Sequence, residues 1–78
     1  MTIIKKAVKR AGGAAAVAAS MGLSRISVYE WMTKDRVPDP RVLALAELTE
    51  WEVTPHQIAP SLYPNPSDGL PVNVLGTT

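Results

Sequence analysis

The sequence predicts an all-α fold: a compact bundle of four to five short helices followed by a mostly disordered C-terminal tail. Apolar residues recur at helical spacing over most of residues 3–58. Cap residues, glycines and prolines divide this stretch into short segments, and no convincing strand pattern lies within residues 1–60. With 78 residues the chain has room for one domain, which we place at residues 1–63, with the tail at residues 64–78.

The first two helices follow from a cap, an apolar stripe and a pair of glycines. Thr2 is a typical N-cap, and the apolar positions of residues 3–11 fall on one helical face. Gly12 and Gly13 end this helix, because glycine readily adopts the left-handed conformation that closes one. The alanine-rich residues 14–20 predict a second short helix with high intrinsic propensity.

Two further start signals predict the third and fourth helices. Ser24 is a good N-cap for a helix over residues 25–33, whose apolar side includes Val28. Asp39 as cap and Pro40 at the first helical position predict a fourth helix that runs to about residue 50.

The end of the chain combines one more helix with a change in composition. Thr54 and Gln57 have the spacing of a capping box, which predicts a short fifth helix that Pro60 ends. From residue 64 onward proline, glycine, asparagine, serine and threonine dominate, which is typical of a disordered tail. Residues 72–75 are apolar enough that adding a strand to a partner is an alternative.

Charge is divided unevenly along the chain. Residues 1–41 hold all eight lysines and arginines and three acidic residues, a net charge of +5, whereas residues 42–78 hold four acidic residues and no lysine or arginine. A basic half is what a phosphate-facing surface requires, and a solvated charged face is the alternative interpretation.

Composition argues against several other functions. The absence of cysteine excludes disulfides and thiolate chemistry, and the single histidine, His56, is most simply a first-turn residue of the fifth helix. The longest apolar stretch, residues 14–19, is far shorter than the ~20 residues that span a bilayer. We find no nucleophile–base pair, metal set or phosphate loop, and therefore expect a cytoplasmic protein that is not an enzyme and has no cofactor, metal site or membrane association.

Residues 14–34 fit a helix-turn-helix of the lambda-repressor-like kind. Ala18 supplies a small residue four positions before the turn glycine, Gly22. Val28 and Trp31 follow Gly22 by six and nine positions and are expected to point inward, which leaves the outer face of the third helix free. Such a helix, here residues 24–34, is suited to the DNA major groove. A plain helical hairpin with the same core is the alternative.

About residues 10–64 resemble the YdaS-type antitoxins and Cro-like phage helix-turn-helix regulators. The resemblance rests on the run from Gly13 to Trp31, on Val37, Pro38 and Arg41, and on a more specific closing stretch. That stretch contains Thr54, Ile58, Pro60, Leu62, Tyr63 and Pro64. The resemblance implies a bacterial or phage-encoded repressor, or the DNA-binding member of a toxin–antitoxin-like pair, that acts on its own operator as a dimer.

Two positions depart from the pattern of these relatives. Ala14 stands where many of them have a polar residue that reaches a phosphate. Contacts with the DNA backbone must therefore come from elsewhere in this chain. Glu50, Trp51 and Glu52 follow the fourth helix where glycines are common. Trp51 is either a lid on the core or an anchor for a dimer, since aromatic residues are enriched at interface centres.

The residues predicted to bind DNA lie on the third helix and just after it. Arg25 lies in the first turn, where it is able to bond a guanine in bidentate fashion or to hold a phosphate; a surface ion pair is the alternative. Ser24 caps the helix, with or without a phosphate contact. The full set is Ser24, Arg25, Ile26, Ser27, Tyr29, Glu30, Thr33, Lys34 and Arg36.

Several of these roles have two or more interpretations. Ile26 either contacts a thymine or packs partly against the fourth helix. Tyr29 suits a thymine methyl group or a phosphate, and Ser27 a phosphate or a base. Glu30 accepts from cytosine, orients Arg25 or a neighbouring lysine, or repels wrong sites. Further candidates for phosphate contacts lie on the first helix: Lys5, Lys6, Lys9 and Arg10.

The resulting hypothesis is a sequence-specific transcriptional repressor that binds double-stranded operator DNA as a homodimer. Two copies would place their third helices in successive major grooves about 34 Å apart. The alternative is an antitoxin-like module that neutralises or regulates a protein partner through its acidic half or its C-terminal tail.

Overall fold

The computed structural model describes residues 2–71. This part of the chain contains five α-helices and no strand, which confirms the predicted all-α class. The helices are α1 (Ile3–Arg10), α2 (Ala14–Met21), α3 (Arg25–Lys34), α4 (Asp39–Leu48) and α5 (Pro55–Ile58). None of the helices described is long and apolar enough to cross a membrane.

Side-chain caps start α1 and α5 as predicted. The Thr2 hydroxyl accepts a hydrogen bond from the Lys5 N–H at 3.3 Å. The capping box of α5 is complete, because the Gln57 N–H donates to the Thr54 hydroxyl at 3.2 Å and the Thr54 N–H donates to Gln57 Oε1 at 3.0 Å. These bonds satisfy amide groups that a helix start otherwise leaves without partners.

The predicted cap of α4 is wrong by one residue. Asp39 is the first helical residue, and Pro38 occupies the cap position without a side-chain hydrogen bond. An Asp39 carboxylate in the first turn still stabilises the helix through its dipole. The helix ends at Leu48 rather than near residue 50, because Glu50 adopts a left-handed conformation with φ 57°.

The core lies where α1 and α4 meet the pair formed by α2 and α3. Its buried apolar members are Ile4, Ala7, Val8, Val17, Ala18, Val28, Trp31, Val37, Val42, Leu45, Ala46, Val53 and Ile58. The predicted apolar face of α1 is confirmed, since its buried positions belong to this core and its four basic side chains are exposed. Trp51 packs half-buried against the core, as a lid would.

The described residues after α5 fold back over the helices. His56 Nδ1 lies 2.7 Å from the Tyr63 carbonyl oxygen, which ties the closing stretch to the first turn of α5. A Cβ built on Gly69 would lie only 2.9 Å from Leu43 Cδ2 and from Pro55 Cγ, so this segment lies directly on α4 and α5. The predicted division at residue 64 stays a prediction, and the candidate strand at residues 72–75 lies outside the described residues.

Candidate nucleic-acid interface

The turn between α2 and α3 is closed by a glycine in the left-handed conformation. Gly22 has φ 68° and ψ 31°, as the sequence predicts, and the next N–H, of Leu23, donates to the Ala18 carbonyl at 2.8 Å. A Cβ on Gly22 would meet nothing within 4 Å. Glycine is therefore required here for its backbone conformation and not for lack of space.

Two buried side chains fix the inner face of α3. Val28 is fully buried and Trp31 is 6% exposed, which confirms the two inward positions predicted from their spacing to Gly22. Ser24 caps the helix, because its hydroxyl accepts from the Ser27 N–H at 3.4 Å. With its inner face and its start both fixed, α3 presents its opposite side to solvent.

The outer face of α3 carries an exposed charge and two exposed large apolar side chains. Ile26 is 68% exposed and Tyr29 is 50% exposed, while Arg25 is also exposed. Of the two interpretations of Ile26, packing against α4 is therefore wrong. Ser27 is half-buried, and its hydroxyl lies 3.5 Å from that of Ser24.

The charges on α3 are paired selectively. Lys34 Nζ lies 3.9 Å from Glu30 Oε2, with both side chains largely in solvent, so Glu30 forms an ion pair with a neighbouring lysine. Such a screened pair contributes little stability. Arg25 takes part in neither of the two ion pairs found within residues 2–71, which leaves its guanidinium available to a ligand.

A short basic loop continues from the end of α3. Lys34 and Arg36 are exposed, as is Thr33, and between the two cations Asp35 turns the chain with φ 55° and ψ 42°. The Arg36 N–H donates to the Trp31 carbonyl at 3.0 Å, which holds the loop against the helix end. The structure thus brings all nine predicted residues onto one helix, its cap and its following loop.

The basic residues of α1 form a separate set. Lys5, Lys6 and Lys9 are exposed, on a different element from the predicted reading residues. Arg10 forms an ion pair with Glu52, beyond the end of α4. Its guanidinium is thus directed toward the acidic half of the chain.

Sequence reasoning missed the groove beside the end of α3. This surface groove is lined by Glu30, Trp31, Lys34, Arg36 and Pro38. It adds Trp31 and Pro38 to residues already predicted as polar contacts. The spacing of Glu30 and Lys34, four residues apart, was the only signal for it in the sequence.

Comparison with known proteins identifies the family. A family model described as bacterial toxin YdaS matches residues 4–67, which include nearly all of α1, the four other helices and the closing stretch at Tyr63. The comparisons with curated proteins and with solved structures gave no match. The family match covers most of the chain and agrees with the motifs that the sequence shares with YdaS-type proteins. The chain therefore belongs to the YdaS family.

Proposed function

We propose that this protein is a sequence-specific transcriptional regulator that binds double-stranded DNA with α3 in the major groove. The observation that carries the proposal is the two-sided construction of α3. Val28 and Trp31 anchor it in the core, while Arg25, Ile26 and Tyr29 stand exposed on the other side. An α-helix presented in this way fits the width of the major groove.

Affinity and specificity would come from different residues. Lys34 and Arg36 are exposed at and just beyond the end of α3, where we expect backbone phosphates to flank a helix in the groove, and the exposed lysines of α1 are further candidates. Such contacts position a protein without reading sequence, whereas side chains on the helix face read the base edges. Arg25 is the residue we assign to a guanine, through its bidentate donor geometry.

The protein would act as a homodimer on an imperfect palindrome. A single ten-residue helix reaches few base pairs, and two copies about 34 Å apart double the sequence that is read. This function requires binding alone and no catalysis or cofactor, and it would be exercised in the cytoplasm of a bacterium, where a repressor meets its operator.

Selection from a pool of random duplexes tests the proposal. The full chain is expected to enrich one sequence with two related half-sites and to bind it with a steep salt dependence. Arg25→Ala should lose about 1–3 kcal/mol of discrimination at one base position of each half-site while the fold stays intact. Failure to enrich any sequence would overturn the proposal, because salt-dependent binding alone is also made by non-specific phosphate contacts.

Two matched variants separate reading from phosphate contact. Arg25→Lys keeps the charge but not the planar pair of donors, so it should lose base discrimination and keep the salt slope. Lys34→Ala should weaken binding to every duplex about equally and reduce the salt slope by about 1. Unchanged discrimination in both Arg25 variants would remove this residue from the reading role.

An acidic groove on another face favours a second candidate function, binding of a basic protein partner. Glu47 and Glu50 border a groove between α2 and α4 whose other lining residues are Ser20, Met21, Ala44 and Leu48. The half of the chain after residue 41 contains no lysine or arginine. A groove lined by both apolar and acidic side chains suits a segment that is apolar and basic, as an antitoxin-like or toxin-like member of a protein pair would require.

Charge reversal distinguishes the second candidate from the first. Glu47→Lys with Glu50→Lys should abolish co-purification with the co-expressed product of the adjoining gene and should leave DNA specificity unchanged. Deletion of residues 72–78 tests whether the tail contributes to the same complex. Retention of the complex in all these variants would overturn this candidate.

A further inference from the structure

We infer that Ile26 and Tyr29 form an apolar reading surface that selects thymine, through its 5-methyl group, at neighbouring base pairs. The inference rests on the proposed function, because it concerns what the outer face of α3 meets in the groove. It assigns this face a base preference that Arg25 alone does not provide.

The first support is the placement of the two side chains. Four large apolar side chains within residues 2–71 are well exposed: Ile26, Tyr29, Leu43 and Leu62. Ile26 is the most exposed of them at 68%, and Tyr29 follows it by three residues on the same helix. Side chains at this spacing are neighbours on one helical face, so they present one continuous apolar surface rather than two scattered positions.

The second support is the charge that surrounds this surface. Arg25 precedes Ile26 directly, and Lys34 and Arg36 lie at the far end of the same helix. No acidic side chain separates Arg25 from Tyr29 in sequence, and Glu30 beyond them is accompanied by Lys34. An apolar centre with cations at both ends is complementary to a major groove, which has phosphates on both rims and base edges between them.

The third support is the chemistry of the base edges. In the major groove the thymine methyl group is the apolar feature, while the other edges offer hydrogen-bond donors and acceptors. Ile26 placed over a polar edge would remove water from it without replacing the hydrogen bond, which is unfavourable. The same side chain placed over a thymine methyl group buries two apolar surfaces. The penalty over a polar edge and the gain over a methyl group therefore both favour thymine.

Helix geometry sets the spacing of the thymines. Residues three apart along an α-helix are separated by about 4.5 Å along its axis, and successive bases of one strand by about 3.4 Å. With α3 lying along the groove, Ile26 and Tyr29 would therefore reach adjacent base pairs. Because Arg25 precedes them, the guanine that it reads would border this pair of thymines.

Removal of single methyl groups tests the inference. The probe is the duplex selected by the full chain, resynthesised with one thymine at a time replaced by deoxyuridine, which lacks only the 5-methyl group. Two neighbouring replacements in each half-site should each weaken binding about four-fold, the factor for about one buried apolar carbon. In Ile26→Ala, one of these two replacements should no longer change the affinity.

Leu43→Ala is the matched control. Leu43 is an apolar residue of α4 with 42% exposure, and it lies on a different helix from the proposed reading surface. This variant should keep both four-fold effects. Circular dichroism and thermal unfolding of each variant establish that the fold is retained.

The possible outcomes separate the inference from the proposed function. Tight, selective binding of the selected duplex that no deoxyuridine replacement weakens would overturn the inference alone. Failure to select any sequence would overturn the proposed function. If Ile26→Ala instead turns a dimer into a monomer in sedimentation while both methyl effects persist, the surface belongs to self-association and the inference is wrong.

Discussion

Helices α1 and α2 end with the same backbone hydrogen bond as helices α3 and α4, but with a different kind of residue at the turn. In each of α1 to α4 an N–H just beyond the helix donates to the carbonyl five residues earlier, at 2.8–3.0 Å. The residue in the positive-φ position is Gly12 after α1 and Gly22 after α2, but Asp35 after α3 and Glu50 after α4. This is the Schellman closure, which usually employs glycine.

This contrast separates helix ends that form from local preference from those that need further contacts. Glycine reaches the left-handed conformation without a steric penalty, so the ends of α1 and α2 form from local preference. An L-residue in that conformation costs roughly 1–2 kcal/mol, although aspartate tolerates it better than glutamate. The end of α4, with glutamate in this position, therefore depends on further contacts more than the end of α3 does.

At the end of α4 those contacts are visible. Thr49 is 3% exposed; its hydroxyl donates to the Ala46 carbonyl at 2.7 Å and accepts from the Val53 N–H at 3.1 Å. Trp51, itself at φ 65°, packs on the core, and Glu52 pairs with Arg10. Local hydrogen bonds of Thr49, together with the distant contacts of Trp51 and Glu52, hold a turn whose left-handed residues are unfavourable by themselves.

The largest effect we expect comes from removing this support. Thr49→Val should lower the free energy of unfolding by about 1–3 kcal/mol, because it leaves the buried Val53 N–H without a partner. Urea unfolding followed by circular dichroism measures the change. Thr49→Ser, which keeps the hydroxyl, should lose markedly less; equal losses in the two variants would show that packing and not hydrogen bonding supports the turn.

A smaller loss of stability is expected at Gly22, in the turn that ends α2. Gly22→Ala should destabilise the protein by about 1–2 kcal/mol, the cost of a left-handed L-residue, since the added methyl group meets open space. Ser20→Ala, an exposed position in the same helix, serves as the control and should change stability little. Unchanged stability in Gly22→Ala would contradict the claim that the end of α2 depends on the conformational preference of glycine.

The smallest effect is expected at the end of α3 and is favourable. Asp35 places a negative charge at a helix C-terminus and between two cations of the proposed DNA-binding loop. Asp35→Asn keeps a residue that tolerates the left-handed conformation, so it should raise stability by about 0.3–1 kcal/mol. It should also raise DNA affinity at low salt, an effect that added salt removes.

Measurement of the free energy of unfolding and of the DNA affinity in the same buffers, at low and high salt, checks this prediction. Glu50→Gln makes the equivalent charge change at the end of α4 and serves as the control, because it should affect stability but leave DNA binding unchanged. Lower DNA affinity in Asp35→Asn would mean that the carboxylate orders the loop for binding rather than opposing it.

Local sequence was enough to predict the all-α class, the capped starts of α1, α3 and α5 and the inward side of α3. Thr2, Ser24 and Thr54 act on amide groups within three residues, and the spacing from Gly22 to Val28 and Trp31 is a property of one continuous segment. Short-range hydrogen bonds and helical periodicity require no knowledge of distant parts of the chain.

Tertiary structure alone decided the rest. Ile26 lies at the edge of the apolar side of α3, and its exposure depends on where the other helices cross. Arg10 and Glu52 meet although the whole of α2, α3 and α4 separates them in sequence. The left-handed Glu50 and the closing segment near Gly69 are likewise held by distant contacts. Such contacts depend on packing between helices, and local preference does not determine which distant side chains will meet.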